Sequence, residues 1–263
     1  MHQKQPPAKT AVRVADGVGS ARTECVTTKV ANNEANFRIP VRQYIYRNVR
    51  FVTFLRMRDR AHLHQNEATI EFVPASIVDQ LNLREIFRRD APVEIDLGCG
   101  NGMFLAAIAR QNPDRNFLGI ERLLGRVRSV CRKIARLNLE NVRVIRMESS
   151  YAVAHLLPPS AISAFHVLFP DPWPKRRHHR RRLFTAEFFG AMDRALEWNG
   201  LLHLATDDAD YFRSIYKMIA IKPSFSVSEE EAIEFPMTAF EQKLAVNGAP
   251  IQRLLLRKVS PVR

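Results

Sequence analysis

Apolar residues in the middle of the chain fall in short runs, and these runs alternate with segments of helical period. Val93-Glu94-Ile95-Asp96-Leu97 is a five-residue run stopped by glycines. Residues 103–109 behind it are apolar and alanine-rich, which reads as strand, tight turn, helix. The unit then repeats, with strands expected at 116–120, 142–147, 164–169 and 201–205 and helices at 123–137, 152–157, 183–198 and 211–219. A further helix is expected over 76–87, ahead of the first strand. Within 183–198, Phe184, Phe188, Met192 and Leu196 recur at four-residue steps with Phe189 alongside, the mark of a core-facing stripe. Strands separated by helices require right-handed crossovers, so the class is α/β, with a mostly parallel sheet covered on both faces. The last apolar run, 251–256, is not led in by a crossover helix and is expected to return as an antiparallel edge strand.

The flanks read differently. Residues 1–36 contain no Phe, Trp or Tyr and show no period, so they are expected to be a disordered arm. Residues 37–90 are expected to be a basic leader packing on the core, and 91–263 the α/β domain. In the leader Phe37, Tyr44, Tyr46 and Phe51 interleave with Arg38, Arg42, Arg47 and Arg50. That mixture suits base stacking and phosphate neutralisation, or equally packing against the domain.

Composition narrows the class. The 263 residues are 46% hydrophobic, which excludes wholesale disorder and supplies one large core. Three cysteines, Cys25, Cys99 and Cys131, form no CxxC pattern, so neither a disulfide scaffold nor a zinc site is supported. No apolar stretch is long enough for a membrane span, and the chain reads as soluble and cytoplasmic. The net charge of +13 is uneven: residues 1–60 carry +8, residues 61–174 +1, residues 175–182 +6 and residues 183–263 −2. Such concentration points to a polyanionic partner, nucleic acid ahead of an anionic membrane. Arg126, Arg128, Arg132, Lys133 and Arg136, on the helix after Glu121, are expected on a solvated face opposite Val127, Val130 and Ile134.

Candidate chemistry gathers at strand ends. Asp96-Leu97-Gly98-Cys99-Gly100-Asn101-Gly102 joins the first strand to its helix, and its glycines let the backbone approach a ligand. A dinucleotide loop needs G-x-G-x-x-G, but Met103 occupies the position of the third glycine. The carboxylate two residues before Gly98 is a poor neighbour for pyrophosphate and a good one for a cation. S-adenosylmethionine carries a sulfonium and an ammonium and no phosphate. Glu121 ends the second strand roughly twenty residues on, where an acid accepts ribose hydroxyls, a feature shared with NAD sites. Glu148 closes the third strand at the same edge, within reach of an adenine amino group. After the fourth strand, Phe169-Pro170-Asp171-Pro172-Trp173-Pro174-Lys175 presents a carboxylate and an aromatic in a stiff loop. It leads directly into the cationic run, which reads as a phosphate clamp.

The blocks DLGCGNG, LGIE, FPDPWPKRRHHRRRLF, LATDDADYF and TAFEQK, in this order, resemble the bacterial tRNA (guanine-N7-)-methyltransferase family over residues 92–258. The resemblance implies a Rossmann-like class I methyltransferase fold with a seven-stranded sheet, S-adenosyl-L-methionine as methyl donor without a metal, and guanine 46 of the tRNA variable loop as acceptor. By position it implies Asp96, Gly98, Gly100, Gly102, Glu121, Glu148 and Asp171 at the donor, with Asp171 also catalytic. Lys175, Asp207, Thr238 and Glu241 are implied as substrate contacts. It further implies tRNA as partner, no membrane, and a monomer or homodimer. Two departures stand out: Glu148-Ser149 where the family has Asp-Ala, and Ala239 where it has a basic residue. The alternatives are an amino-methyltransferase acting on another nucleic acid or protein, favoured by the Asp-Pro-Trp triplet, and a non-catalytic RNA-binding module.

Overall fold

A computed structural model describes residues 70–220, 224–228 and 235–259. The arm and the aromatic and arginine residues of the leader lie outside the described residues. In chain order the elements are α1 (Leu83–Phe87), β1 (Val93–Leu97), α2 (Met103–Gln111), β2 (Asn116–Glu121), α3 (Leu124–Leu137) and β3 (Val142–Arg146). Then come α4 (Ser149–Tyr151), which runs into a π turn (Ala152–Leu156), β4 (Ile162–Leu168), a 3-10 helix (Arg176–Arg181), α5 (Ala186–Ala195) and β5 (Leu196–Thr206). The chain closes with α6 (Ala209–Ala220), β6 (Phe225–Val227), α7 (Ala239–Val246) and β7 (Gln252–Lys258).

The strands form one seven-stranded sheet in the order β3-β2-β1-β4-β5-β7-β6. The first five are parallel, while β7 runs antiparallel to both β5 and β6. The expected mostly parallel sheet with an antiparallel C-terminal strand therefore forms. The edge position, however, belongs to the three-residue β6, and β7 lies inside it. Every residue of β1 and β2 is buried, because helices cover both faces and leave no solvent side for alternation to record. One face packs Ile95, Phe165 and Leu204 with Phe188, Phe189 and Met192, so the stripe on α5 is core as expected. The other packs Phe117 and Val144 with Phe104, Ile108, Val130 and Ile134 of α2 and α3.

Three helices depart most from the pattern-based expectation. The helix expected from 76 starts only at Leu83. Ser76 Oγ accepts the amides of Val78 and Asp79, each at 3.2 Å, which turns the chain locally, and Asn82 caps the later helix. The helix expected over 183–198 is shortened at both ends: Thr185 Oγ1 caps it through the Phe188 amide at 3.2 Å, and Leu196 leaves it to pair with Ile162. The register then jumps to Ala164 opposite Leu201, with Asn199 at φ 65° and Gly200 packed so tightly that a Cβ would stand 2.9 Å from the Glu197 carbonyl oxygen. The helix expected over 152–157 is the short α4 with its π turn. No helix among the described residues is long and apolar enough to cross a membrane.

Candidate active site at the carboxyl edge of the sheet

Parallel pairing brings the ends of β1, β2, β3, β4 and β5 to one edge. Asp96 stands between Gly119 of β2 and His166 of β4, so its side chain shares a face with α2 and α3. The loop beyond it is held by backbone bonds from Gly98 and Cys99 to the Ile120 carbonyl at 2.8 and 3.1 Å. Gly102 has φ 66°, and a Cβ there would lie 2.7 Å from Val130 Cγ1. The sequence thus needs glycine at that position both for conformation and for close approach of α3. Lys133 Nζ donates to the Asn101 carbonyl at 2.6 Å, which ties α3 to the same loop.

Two carboxylates meet here in different states. Glu121 is buried and engaged: it accepts the Gly100 amide at 3.1 Å and the Leu123 amide at 2.9 Å, and Arg126 lies 3.6 Å away. Asp96 is equally buried, but its Oδ2 has no hydrogen-bond partner among the described residues. Burial first, and then the Glu121 charge, push the Asp96 carboxyl up to about 8. An orphaned carboxyl oxygen under open glycine backbone, with no Cβ contact at Gly98, fits a cationic ligand, whose charge favours the ionised form of Asp96. Glu148, the third expected acid, is exposed, and its Oε2 caps α4 through the Tyr151 amide at 3.0 Å and takes the Ser150 hydroxyl.

The other half of the edge is built from strain and cations. Phe169 and Trp173 both have positive φ, 54° and 43°, each costing roughly 1–2 kcal/mol for a bulky L-residue. The loop is tied at both strained points. Phe169 donates to the Ala205 carbonyl at 2.7 Å, and Arg182 Nε donates to the Pro172 carbonyl at 2.7 Å. Arg182 also lies over the Tyr211 ring at 4.7 Å, Arg181 over Trp173 at 4.9 Å, and His178 meets Trp173 edge-on at 5.7 Å. Two of the six cations thus fasten the loop. Lys175, Arg176 and Arg180 stay exposed, with no carboxylate partner among the described residues. Asp171 is exposed in this loop. Asp207 is exposed just beyond β5, the neighbouring strand, and Asp208 beside it caps α6 through the Tyr211 amide at 2.7 Å.

Residues 90–254 match the protein family described as "Putative methyltransferase". The tRNA (guanine-N(7)-)-methyltransferase of Nitrosospira multiformis is 36% identical over 182 residues, 68% of this chain and 80% of that one. The chain belongs to the tRNA (guanine-N(7)-)-methyltransferase family. The Nitrosococcus oceani protein of that name is 34% identical over 212 residues, covering 78% of this chain and 90% of its own. An rRNA methylase structure from Streptococcus thermophilus, at 16% identity and a TM-score of 0.45, spans 78% of this chain and 100% of that one.

Two positions implied as substrate contacts in this tRNA (guanine-N(7)-)-methyltransferase family member are engaged inside the fold. Thr238 and Glu241 form a reciprocal capping box at α7, with bonds of 2.9 and 3.2 Å, and the buried Glu241 is also paired with Arg253. The T-x-x-E spacing is itself a legible capping signal. Sequence reasoning missed the aromatic fastening of this segment. Phe240 packs on Phe169 at 5.1 Å, and Phe235 stacks on His203 at 3.8 Å. It also missed a buried polar row in which His166 bridges Glu94 at 2.8 Å and His203 at 3.3 Å. Burial works to raise Glu94, but His166 and Arg115 outweigh it and hold the carboxyl below its usual range. Burial first, and then the neighbouring His166 and Arg253, push the His203 imidazole well below its usual value. Glu94 and His166 inside otherwise apolar runs were the only signal.

Proposed function

We propose that the chain transfers the methyl group of S-adenosyl-L-methionine to N7 of guanine 46 in the variable loop of tRNA, in the cytoplasm. One observation carries the reading: a single sheet edge offers a buried carboxyl group with one oxygen unpartnered among the described residues and, on the neighbouring strand ends, two exposed carboxylates beside exposed cations. Asp96, Glu121 and the backbone at Gly98, Gly100 and Gly102 hold the donor, with Glu148 at its far end. S-adenosylmethionine supplies, when bound, an electrophilic methyl group on a sulfonium.

N7 of guanine carries an in-plane lone pair, so the protein has no proton to remove from it. Its residues act by position and charge. Asp171 and Asp207 accept the N1–H and N2 amino hydrogens of the guanine edge, which rejects adenine, and they stabilise the charge that develops on the purine. Lys175, Arg176 and Arg180 neutralise flanking phosphates. Thr238 and Glu241 shape the segment that brings Phe240 against the catalytic loop.

The test is incubation with bulk tRNA and labelled S-adenosylmethionine followed by nucleoside analysis and borohydride–aniline cleavage. The expected product is N7-methylguanine with chain scission at one variable-loop position. Label on an exocyclic amine supports an amino-methyltransferase instead. Absence of both labelling and donor binding by calorimetry supports an RNA-binding module.

A further inference from the structure

The helix α3 carries five cations, Arg126, Arg128, Arg132, Lys133 and Arg136, and no acid in its 14 residues. Its apolar side, Val127, Val130, Cys131, Ile134 and Ala135, is buried in the core, so the cations are turned outward. Two of them have work inside the fold: Arg126 faces Glu121, and Lys133 holds the Asn101 carbonyl. The other three, Arg128, Arg132 and Arg136, are exposed and stand in one line at four-residue steps. None has a carboxylate at ion-pair distance among the described residues. Arg136 Nε bonds only the Arg132 carbonyl, at 3.3 Å.

A solvated helix face ordinarily mixes signs, with acids placed four residues from bases. This face has one sign, and its two like-charge pairs at i,i+4 weaken the helix with no acid on the helix to offset them. We infer that Arg128, Arg132 and Arg136 form a second tRNA-backbone surface, separate from the clamp at residues 175–182. The inference rests on the proposed tRNA substrate and deepens it. The row spans about 12 Å, enough to face several successive phosphates of one strand. It continues from the site itself, since α3 begins three residues after Glu121 and is tied to the glycine loop. A membrane is the poorer occupant because the apolar face of α3 is already buried and cannot enter a bilayer.

The test is the full-length triple variant Arg128→Gln, Arg132→Gln, Arg136→Gln, with its fold checked by circular dichroism. Filter binding of tRNA is measured over a salt series. The slope of log affinity against log salt drops by about 2–3, and tRNA binds about tenfold or more weakly near physiological salt. The KM for tRNA rises in parallel while kcat at saturating tRNA is unchanged. A charge-keeping Arg→Lys triple retains the slope, and the single Arg132→Glu variant reads out the same loss should the triple misfold. An unchanged slope overturns the surface, as does a triple that loses binding only to anionic vesicles. A slope that depends on α3 without any N7-methylguanine product overturns the proposed function and leaves the surface standing. Normal product with an unaffected slope does the reverse.

Discussion

The two halves of the sheet edge hold their carboxylates in opposite ways. Asp96 and Glu121 are 4% exposed each, on strands flanked by helices and locked by backbone bonds to a glycine loop. Asp171 and Asp207 are exposed on loops beyond β4 and β5. In the first half burial makes a missing partner costly, which suits the cationic donor proposed for it. The second leaves its charges, cations as well as carboxylates, in water and takes its rigidity from packing: Arg181 and Arg182 brace the loop, and aromatic pairs fasten its neighbour. In the function proposed, a small ligand is gripped by desolvation and a large one by shape and screened charge, and the two modes share one edge.

The sharpest way to break this comparison is Asp171→Ala. Turnover should fall by about 10²–10³ while tRNA affinity in filter binding stays within about twofold, because an exposed carboxylate adds nothing to phosphate binding. Loss of affinity with turnover intact would move Asp171 out of the reaction. Next in size is Asp96→Asn, which should weaken donor binding by about 10–100-fold in calorimetry with little change in tRNA affinity. The same residue sets a pH dependence. The ligand-free Asp96 carboxyl stays protonated up to about 8, whereas an unfolded aspartate ionises at about 4. Between those values the native state holds a proton the unfolded chain lacks, so this group's contribution to stability falls as pH rises. A cationic donor needs the carboxylate. Donor affinity should therefore rise from pH 6 to 8 and level off above, with proton release seen in buffers of different ionisation heat. Asp96→Asn should flatten both signals.

Thr238→Ala tests whether that residue serves structure. Removing the cap should cost about 1 kcal/mol of stability by thermal unfolding, with kcat retained at temperatures where the variant is folded. A large kcat defect in a fully stable variant would return Thr238 to the substrate. The smallest effect is expected at Lys175→Gln, with tRNA binding weaker by about two- to fivefold and the salt slope lowered by about 1, since one exposed cation neutralises one phosphate.

Much of the candidate site was readable along the chain because each parallel strand ends in a short loop, so Asp96, Glu121 and Asp171 mark themselves at the ends of apolar runs, while Asp207 enters only through the family resemblance. The basic run at 175–182 was readable as charge, but its division was not. Arg181 and Arg182 became braces only because Trp173 and Tyr211 lie beneath them. Helix limits at Leu83 and Ala195 were missed because a serine turn and a strand pairing with Ile162 overrode local period. The edge strand β6, three residues long, is too short to show a period of two.

The order of residues by itself determined the α/β class, the strand and helix alternation, the glycine loop with its acid, and the family, since these depend on local periodicity, steric demands at single residues and motif spacing. Only the tertiary structure decided what each polar atom does. It left Asp96 Oδ2 without a partner among the described residues, and committed Glu121 to the loop and Glu241 to a cap and Arg253. Burial and pairing are properties of neighbours distant in sequence, and a carboxylate's chemistry depends on which neighbours the fold supplies.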